Sequence, residues 1–320
     1  MTFAESLILR LFRKASGSKP YVKDNALING EELNLLIFES LLSENPYMVA
    51  RFGSIELSSG TYPYILSLPF KKRIALYMKR RICFIRKDRE YEEYLIEPLC
   101  KNAGFFPEDT SLISKFSCLM QEDVKLLDCC CTCEWEDELL FEKLFKRDIK
   151  FAKLEDMEPY DYSMPWSKAL EGKKVLVIHP FEKSIKAQYA KRKLIWDNPD
   201  VLPDFELKTI KAVQTIAGEK APFKDWFEAL DYMKAQMDAT DYDVAIIGCG
   251  AYGFHLASHA KRTGHKAVHL GGATQILFGI KGKRWEELPA VSKFFNEHWT
   301  SPLPEETPKH NAKVENGCYW

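Results

Sequence analysis

The sequence predicts a Rossmann-like α/β fold, a doubly wound and mainly parallel sheet with helices on both faces. Three observations predict it. From residue 174 to 270, strand-like runs (Lys174–Ile178, Glu206–Ile210, Val244–Ile247, Ala267–Leu270) alternate with helical stretches, the order that builds parallel strands joined by crossover helices. Val175–Ile178 and Val244–Ile247 are apolar at every position, as strands buried on both faces are. The run ending at Ile247 opens into Gly248-Cys-Gly250-Ala-Tyr252-Gly253 and then a helix, so a βαβ unit carries G-x-G-x-x-G spacing at its first turn.

Composition frames this reading. A chain of 320 residues, 46% hydrophobic and 28% charged, is that of an ordinary soluble globular protein with one large or two smaller domains. A net charge of -1 hides an uneven distribution, because residues 71–89 are basic with Asp88 as their one acid, whereas residues 90–160 are acidic. The basic stretch faces an anionic ligand or surface, or else pairs locally with the acidic one. Nine cysteines form no regular disulfide framework, and the N-terminal apolar run is broken by Arg10 and too short for a secretory signal. A cytoplasmic location is therefore expected. The opening MTFAESLILRLFRKASG reads as a short amphipathic basic helix in an arm over 1–30, which packs on its own domain or contacts a membrane peripherally.

The elements follow in order. In the N-terminal part, 31–165, Glu31–Leu42 has helical apolar spacing, and Tyr47–Gly53 is a short strand closing on a glycine turn, followed by Ser54-Ile55-Glu56. Residues 71–87 and 88–103 read as two helices, ended by Gly104–Pro107, and Ser111–Met120 as a third. Val124–Trp135 reads as a strand running into a loop, in which Cys129, Cys131 and Cys133 share a face and Cys130 points away. With no Cys/His pair at zinc-type spacing nearby, these cysteines read as core. Glu136–Lys146 is an acidic amphipathic helix, Asp148–Leu154 a short strand, and Glu155–Pro165 the boundary loop. The C-terminal part, 166–300, adds helices Ser184–Trp196, Trp226–Met237 and Val291–Trp299 to the four strands; the tail, 301–320, ends in Tyr319-Trp320, two aromatics that predict docking near the site.

Chemistry concentrates at strand ends, where ligands of open α/β sheets bind. The glycine turn Gly248, Gly250, Gly253 with Tyr252 suits a phosphate, since glycine allows close backbone approach and a helix N-terminus presents free N–H groups. The competing reading is close strand–helix packing. The second strand of the unit ends His269-Leu270-Gly271, without the acid that holds a ribose in dinucleotide sites. Arg51, Gly53 and Glu56 place a cation and a carboxylate at another strand end; a capped turn with a solvated glutamate is the plainer alternative. His179 and His269 each close a predicted strand and are candidates for a base or for donor hydrogen bonds. Arg192 and the Lys281–Arg284 cluster are candidates to balance anionic charge.

Two segments carry a resemblance. Arg51-Phe52-Gly53-Ser54-Ile55-Glu56 resembles the R-[FY]-G-D-G-E motif of the GT-D fold glycosyltransferases, formerly a domain of unknown function. The downstream VLVIHPF, CGAYG and HLGGATQILFGIKGKRW segments are similar to that family's conserved half, so the resemblance spans most of residues 45–300. It implies sugar transfer from a nucleotide-diphosphate sugar, UDP-sugar favoured, with a D-x-E motif contacting a divalent cation (Mn or Mg) and the donor. Ser54 stands where the pattern has its first Asp, and a hydroxyl is a poor ligand for those cations. The resemblance thus implies Glu56 as the metal contact, and Glu56, His179 and His269 are the expected catalytic residues. Around the donor the expected residues are Arg51, Gly53, Ser54, Arg192, Gly248, Gly250, Tyr252, Gly253, Gly272 and Gln275.

The expected function is transfer from that donor to a glycan, glycolipid or glycoprotein acceptor, in polysaccharide biosynthesis for example, with no nucleic-acid partner. An NAD(P)- or S-adenosylmethionine-dependent Rossmann enzyme, or a non-catalytic nucleotide-sugar-binding protein, is the alternative.

Overall fold

The structure, a computed structural model, describes residues 27–78, 87, 89–132, 149–314 and 317–320. The expected N-terminal helix, the second half of the basic helix, Cys133 and the acidic helix Glu136–Lys146 lie outside the described residues.

Seven strands form one all-parallel sheet: β1 (Tyr47–Arg51), β2 (Cys129–Thr132), β3 (Lys150–Lys153), β4 (Lys174–His179), β5 (Glu206–Lys211), β6 (Val244–Ile247) and β7 (Lys266–His269), in the spatial order β3-β2-β1-β7-β6-β4-β5. Strands on either side of 155–165 join where β1 meets β7, with Tyr47 opposite Lys266, Met48 opposite Ala267 and Val49 opposite Val268. That stretch holds two 3-10 turns and connects β3 to the β4 side of the same sheet.

Alternation along the strands supplies two cores. Met48 and Ala50 face one, built with α2 (Ser54–Ser67), α4 (Arg89–Ala103), α5 (Leu112–Asp123), α7 (Trp226–Asp238) and α8 (Gly253–Arg262). Tyr47 and Val49 face the other, covered by α1 (Gly30–Leu42), α6 (Glu182–Tyr189) and α9 (Ala273–Leu277); α3 (Phe70–Met78) adds a small satellite cluster. Helices thus lie on both faces, as the apolar strands require. Cys130 joins the first core, and Cys129 and Cys131 the second, all fully buried. The period of two predicted that split.

Three expectations need correction. The first turn is followed by a whole helix, α2, which the sequence reading did not assign and which contains Gly60 and Pro63. Tertiary packing overrides propensity there: a Cβ added at Gly60 would stand 2.1 Å from Met120 Sδ, and Ser117 Oγ donates to the Gly60 carbonyl at 2.5 Å. The helix expected over Ser184–Trp196 stops at Tyr189 and gives way to a 3-10 turn at Arg192–Leu194. That turn lets Trp196 enter the core, where its Nε1 donates to the Leu277 carbonyl at 2.9 Å. The helix expected over Val291–Trp299 is a single turn, Pro289–Ser292. Asn296 diverts the chain, its side chain accepting from the His298 N–H at 2.9 Å and donating to the Leu194 and Ile195 carbonyls, the competition with helix typical of asparagine.

Candidate functional site

The chain leaves β4 toward β5 on one side and β6 toward β7 on the other, so the carboxyl ends of these neighbours open a crevice at a topological switch point. A cavity of about 300 Å³ lies there. It is walled by the turns after β1 (Arg51–Glu56), β4 (His179–Phe181) and β6 (Gly248, Cys249, Gly250, Tyr252), and by Gly271, Gly272 and Gln275 beyond β7. Val213–Ile216, Asn102–Gly104, Arg284, Tyr319 and Trp320 close the remainder. The two turns separated by nearly two hundred residues therefore meet in one place.

In the first turn, Gly53 is the N-cap of α2, Ser54 is its exposed first residue and Glu56 sits in its first turn. A Cβ added at Gly53 would stand 2.1 Å from Glu56 Oε2, so glycine is what lets the carboxylate fold back over the helix start. The positive end of the helix favours that carboxylate. Arg51, half-buried at the end of β1, lies across Gly271, which has φ 63 and would bring an added Cβ to 3.1 Å from Arg51 Cδ. Phe52 and Phe254 stack at 4.3 Å and join the first turn to α8.

In the second turn each glycine answers to a packing neighbour. An added Cβ would stand 2.4 Å from the Gly271 carbonyl at Gly248, 2.6 Å from the Ala103 carbonyl at Gly250, and 2.2 Å from His269 Nε2 at Gly253. Gly250 also has φ +57, where L side chains are strained. The G-x-G-x-x-G spacing is thus accounted for by close packing. Gly248, Gly250 and Tyr252 still line the cavity, whereas Gly253 does not.

Burial pushes His179 down to about 3, and His269 likewise to about 3 with the Arg51 charge adding to the effect. Both are neutral at ordinary pH. His179 Nδ1 accepts from the Phe181 N–H at 3.0 Å, which leaves the proton on Nε2. These rings are hydrogen-bonding groups and weak bases, so among the expected catalytic residues Glu56 is the stronger candidate. Gln275 Nε2 donates to the Tyr319 carbonyl at 3.1 Å, while its buried Oε1 has no partner among the described residues.

The cavity wall holds two guanidinium groups, Arg51 and Arg284, and one carboxylate, Glu56. Among the described residues no three His, Cys, Asp or Glu side chains converge on a metal position. Mg²⁺ and Mn²⁺ ask for several oxygen ligands, carboxylates above all. The residues present do not fit a protein-held cation, and Ser54 adds no charge.

Arg192 belongs elsewhere. It pairs with Asp204 and stacks over Tyr189, 4.7 Å from the ring centroid, outside the cavity. Of the basic cluster Lys281–Arg284, Arg284 alone lines the wall, with the Tyr319 ring 5.2 Å from its guanidinium. The tail does dock: Arg284 N–H donates to the Cys318 carbonyl at 3.1 Å, and buried Glu306 accepts from the Lys183 and Ser184 N–H groups at the start of α6. The sequence reading missed Asn102–Gly104. Their one signal was the glycine that ends α4.

No protein-family model matches this chain, and no curated protein matches it either. Two solved structures are similar to it: a selenomethionine-substituted structure of domain of unknown function 1792, and a structure of that highly conserved domain described as having a distinct glycosyltransferase fold. In each case the TM-score is 0.44 and the identity 11%, over 94% of this chain and 98% of the other. A likeness of that degree leaves the reading of the site to its own chemistry.

Proposed function

We propose that the protein is a glycosyltransferase that moves a sugar from a nucleotide-diphosphate sugar, a UDP-sugar for preference, to a hydroxyl of a glycan, glycolipid or glycoprotein acceptor. One observation carries the reading: a carboxylate at a helix start, Glu56, shares a cavity at the switch point with Arg51 and Arg284. Transfer needs a base for the acceptor hydroxyl and positive charge on the departing diphosphate. Glu56 takes the proton as the acceptor oxygen bonds to the anomeric carbon. The bond from that carbon to the diphosphate oxygen breaks, and the electron pair leaves with the diphosphate. Arg51 and Arg284 meet that charge, the neutral His179 contributes a donor from Nε2, and the base of the donor lies against Tyr319 or Trp320. A divalent cation, if used, arrives with the diphosphate and is not held by a protein cage.

The NAD(P) reading lacks its ribose acid, because β7 ends in a buried neutral His269. The non-catalytic reading rests on Ser54. No helix among the described residues is long and apolar enough to cross a membrane; a cytoplasmic enzyme touching a membrane through its basic segment suits a glycolipid acceptor. Incubation with UDP-, GDP- and dTDP-sugars, followed by release of the nucleotide, tests the proposal. Release from one class is expected. No release from any, with or without Mn²⁺ and with a panel of glycan acceptors, would sink it.

A further inference from the structure

Behind the cavity, a buried polar cluster joins α5 to α8. Asp123 and His255 are both fully buried. Asp123 Oδ2 lies 2.7 Å from His255 Nδ1, and its Oδ1 accepts from Ser258 Oγ at 2.9 Å and Arg262 Nη2 at 2.7 Å. Those bonds hold the Asp123 carboxyl below the usual range against the burial that raises it. An ionised carboxylate at Nδ1 requires a proton there, which leaves Nε2 as the ring nitrogen open to the neighbouring residues. It has no partner among the described residues, and neither has the buried His269 Nδ1.

Both imidazoles line the same small cavity, about 10 Å³, and so do Gly53 and Glu56. That is about the least space that admits one water, and buried waters sit where two or more polar groups lack partners. Two orphaned nitrogens beside a carboxylate in an apolar wall of Phe52, Phe116 and Met120 meet that condition. An apolar core residue at 255 would pack between Phe116 and Trp226, whose ring centroids lie 5.4 and 5.3 Å from the imidazole, without leaving an unsatisfied nitrogen there.

We propose that this small cavity is a single-water site, and that Asp123 and His255 are positioning residues that connect through the water to Glu56 and receive the proton it takes from the acceptor. The inference rests on the transferase reading for its purpose, though not for its geometry. The acceptor proton passes to Glu56, a water proton passes to His255 Nε2, and Glu56 returns its proton to the water; the imidazolium formed is held by Asp123. After product release the proton returns to solvent. The titratable groups facing His255 are Asp123 from α5, Arg262 on its own helix, and Glu56, Arg51 and His269 across the small cavity.

Two measurements on the full chain test this. Long-range ¹H–¹⁵N spectra of histidine-labelled protein should show His255 protonated at Nδ1, with an Nε2 shift that moves in Glu56→Gln. A proton on Nε2, or an Nε2 shift indifferent to that substitution, overturns the water link whether or not any sugar is transferred. His255→Asn keeps an N–H for Asp123 and loses Nε2. With a UDP-sugar it should lower kcat at least about tenfold and move the acid limb of the pH–rate profile, with the donor KM near wild type; His255→Gln, which also lacks a basic nitrogen, should do the same. A lower thermal midpoint with an unmoved pH profile makes the pair structural only and overturns the proposal. A wild-type protein inert toward every nucleotide sugar refutes the transferase reading instead, and the spectra still decide the link.

Discussion

The turns after β1 and β6 are built alike and behave differently. Each takes a strand into a helix through glycine, and both line one cavity. In the first, the glycine makes room for a functional side chain, since Gly53 yields to the carboxylate of Glu56. In the second, the glycines yield to backbone and to a neighbouring ring, Gly248 to Gly271, Gly250 to Ala103 and Gly253 to His269. The better-known spacing serves as packing, and the less regular turn carries the chemistry proposed above. A glycine motif reports that something comes close; only the neighbour says what.

The largest expected effect on that contrast is Glu56→Gln, which removes the base and keeps the shape. Turnover should fall by about 10² to 10⁴, equivalent to about 3–5 kcal/mol, with the thermal midpoint nearly unchanged because the helix-end charge contributes about 0.3–1 kcal/mol. Loss of folding in calorimetry would make Glu56 structural. Next comes one chemical change made twice. Gly250→Ala meets a carbonyl and a left-handed backbone, and should cost about 2–4 kcal/mol in denaturant unfolding. Gly53→Ala meets the far end of a flexible side chain, and should cost under about 1 kcal/mol while cutting turnover about tenfold. Equal losses of stability in the two variants would erase the distinction.

Acid probes the buried histidines of the site without any substitution. His179 and His269 sit at about 3 in the fold against 6.5 ordinarily. The unfolded chain therefore binds protons that the native state refuses once the pH falls below about 6.5. Stability present above that value is lost as the pH falls toward about 3, by up to about 1.4 kcal/mol per pH unit for each histidine. Urea midpoints flat from pH 7 to 4 would contradict the burial argument. The smallest effect belongs to Ser54→Asp on the exposed first residue of α2. It should leave stability within about 0.5 kcal/mol, and because it adds a carboxylate beside Glu56 it should increase turnover only with Mn²⁺ present. Turnover already at its ceiling without metal, unchanged by the substitution, would favour the guanidinium pair as sufficient.

Much of the fold was legible because burial writes itself into period. The apolar β4 and β6 follow from unbroken apolar runs, and the split of Cys130 from Cys129 and Cys131 follows from alternation. Helix α2 was hidden because Gly60 and Pro63 argue against a helix locally, and Met120 and Ser117, far along the chain, explain Gly60. The same holds at the site. Arg51, Glu56 and the glycine turn could be picked out, and a sequence can mark strand ends; that Arg192 would turn to Asp204, and that Asp123 would reach His255, depends on which helices become neighbours. Tyr319 and Trp320 were legible only as aromatics in a polar tail.

The pairing of β1 with β7 has a consequence for how the molecule is made. Tyr47 must wait for Lys266, so on the ribosome the inner edge of β1 has no lasting partner until nearly the whole chain has emerged. Contacts of such long sequence separation slow folding, and an unpaired apolar edge invites aggregation in the interval. A fragment ending before residue 266 would hold the first turn with Glu56 and β2 beside β1, but not β7 on the other side, nor Gly271, Gly272 and Gln275 of the cavity wall. The protein acquires its site late and all at once.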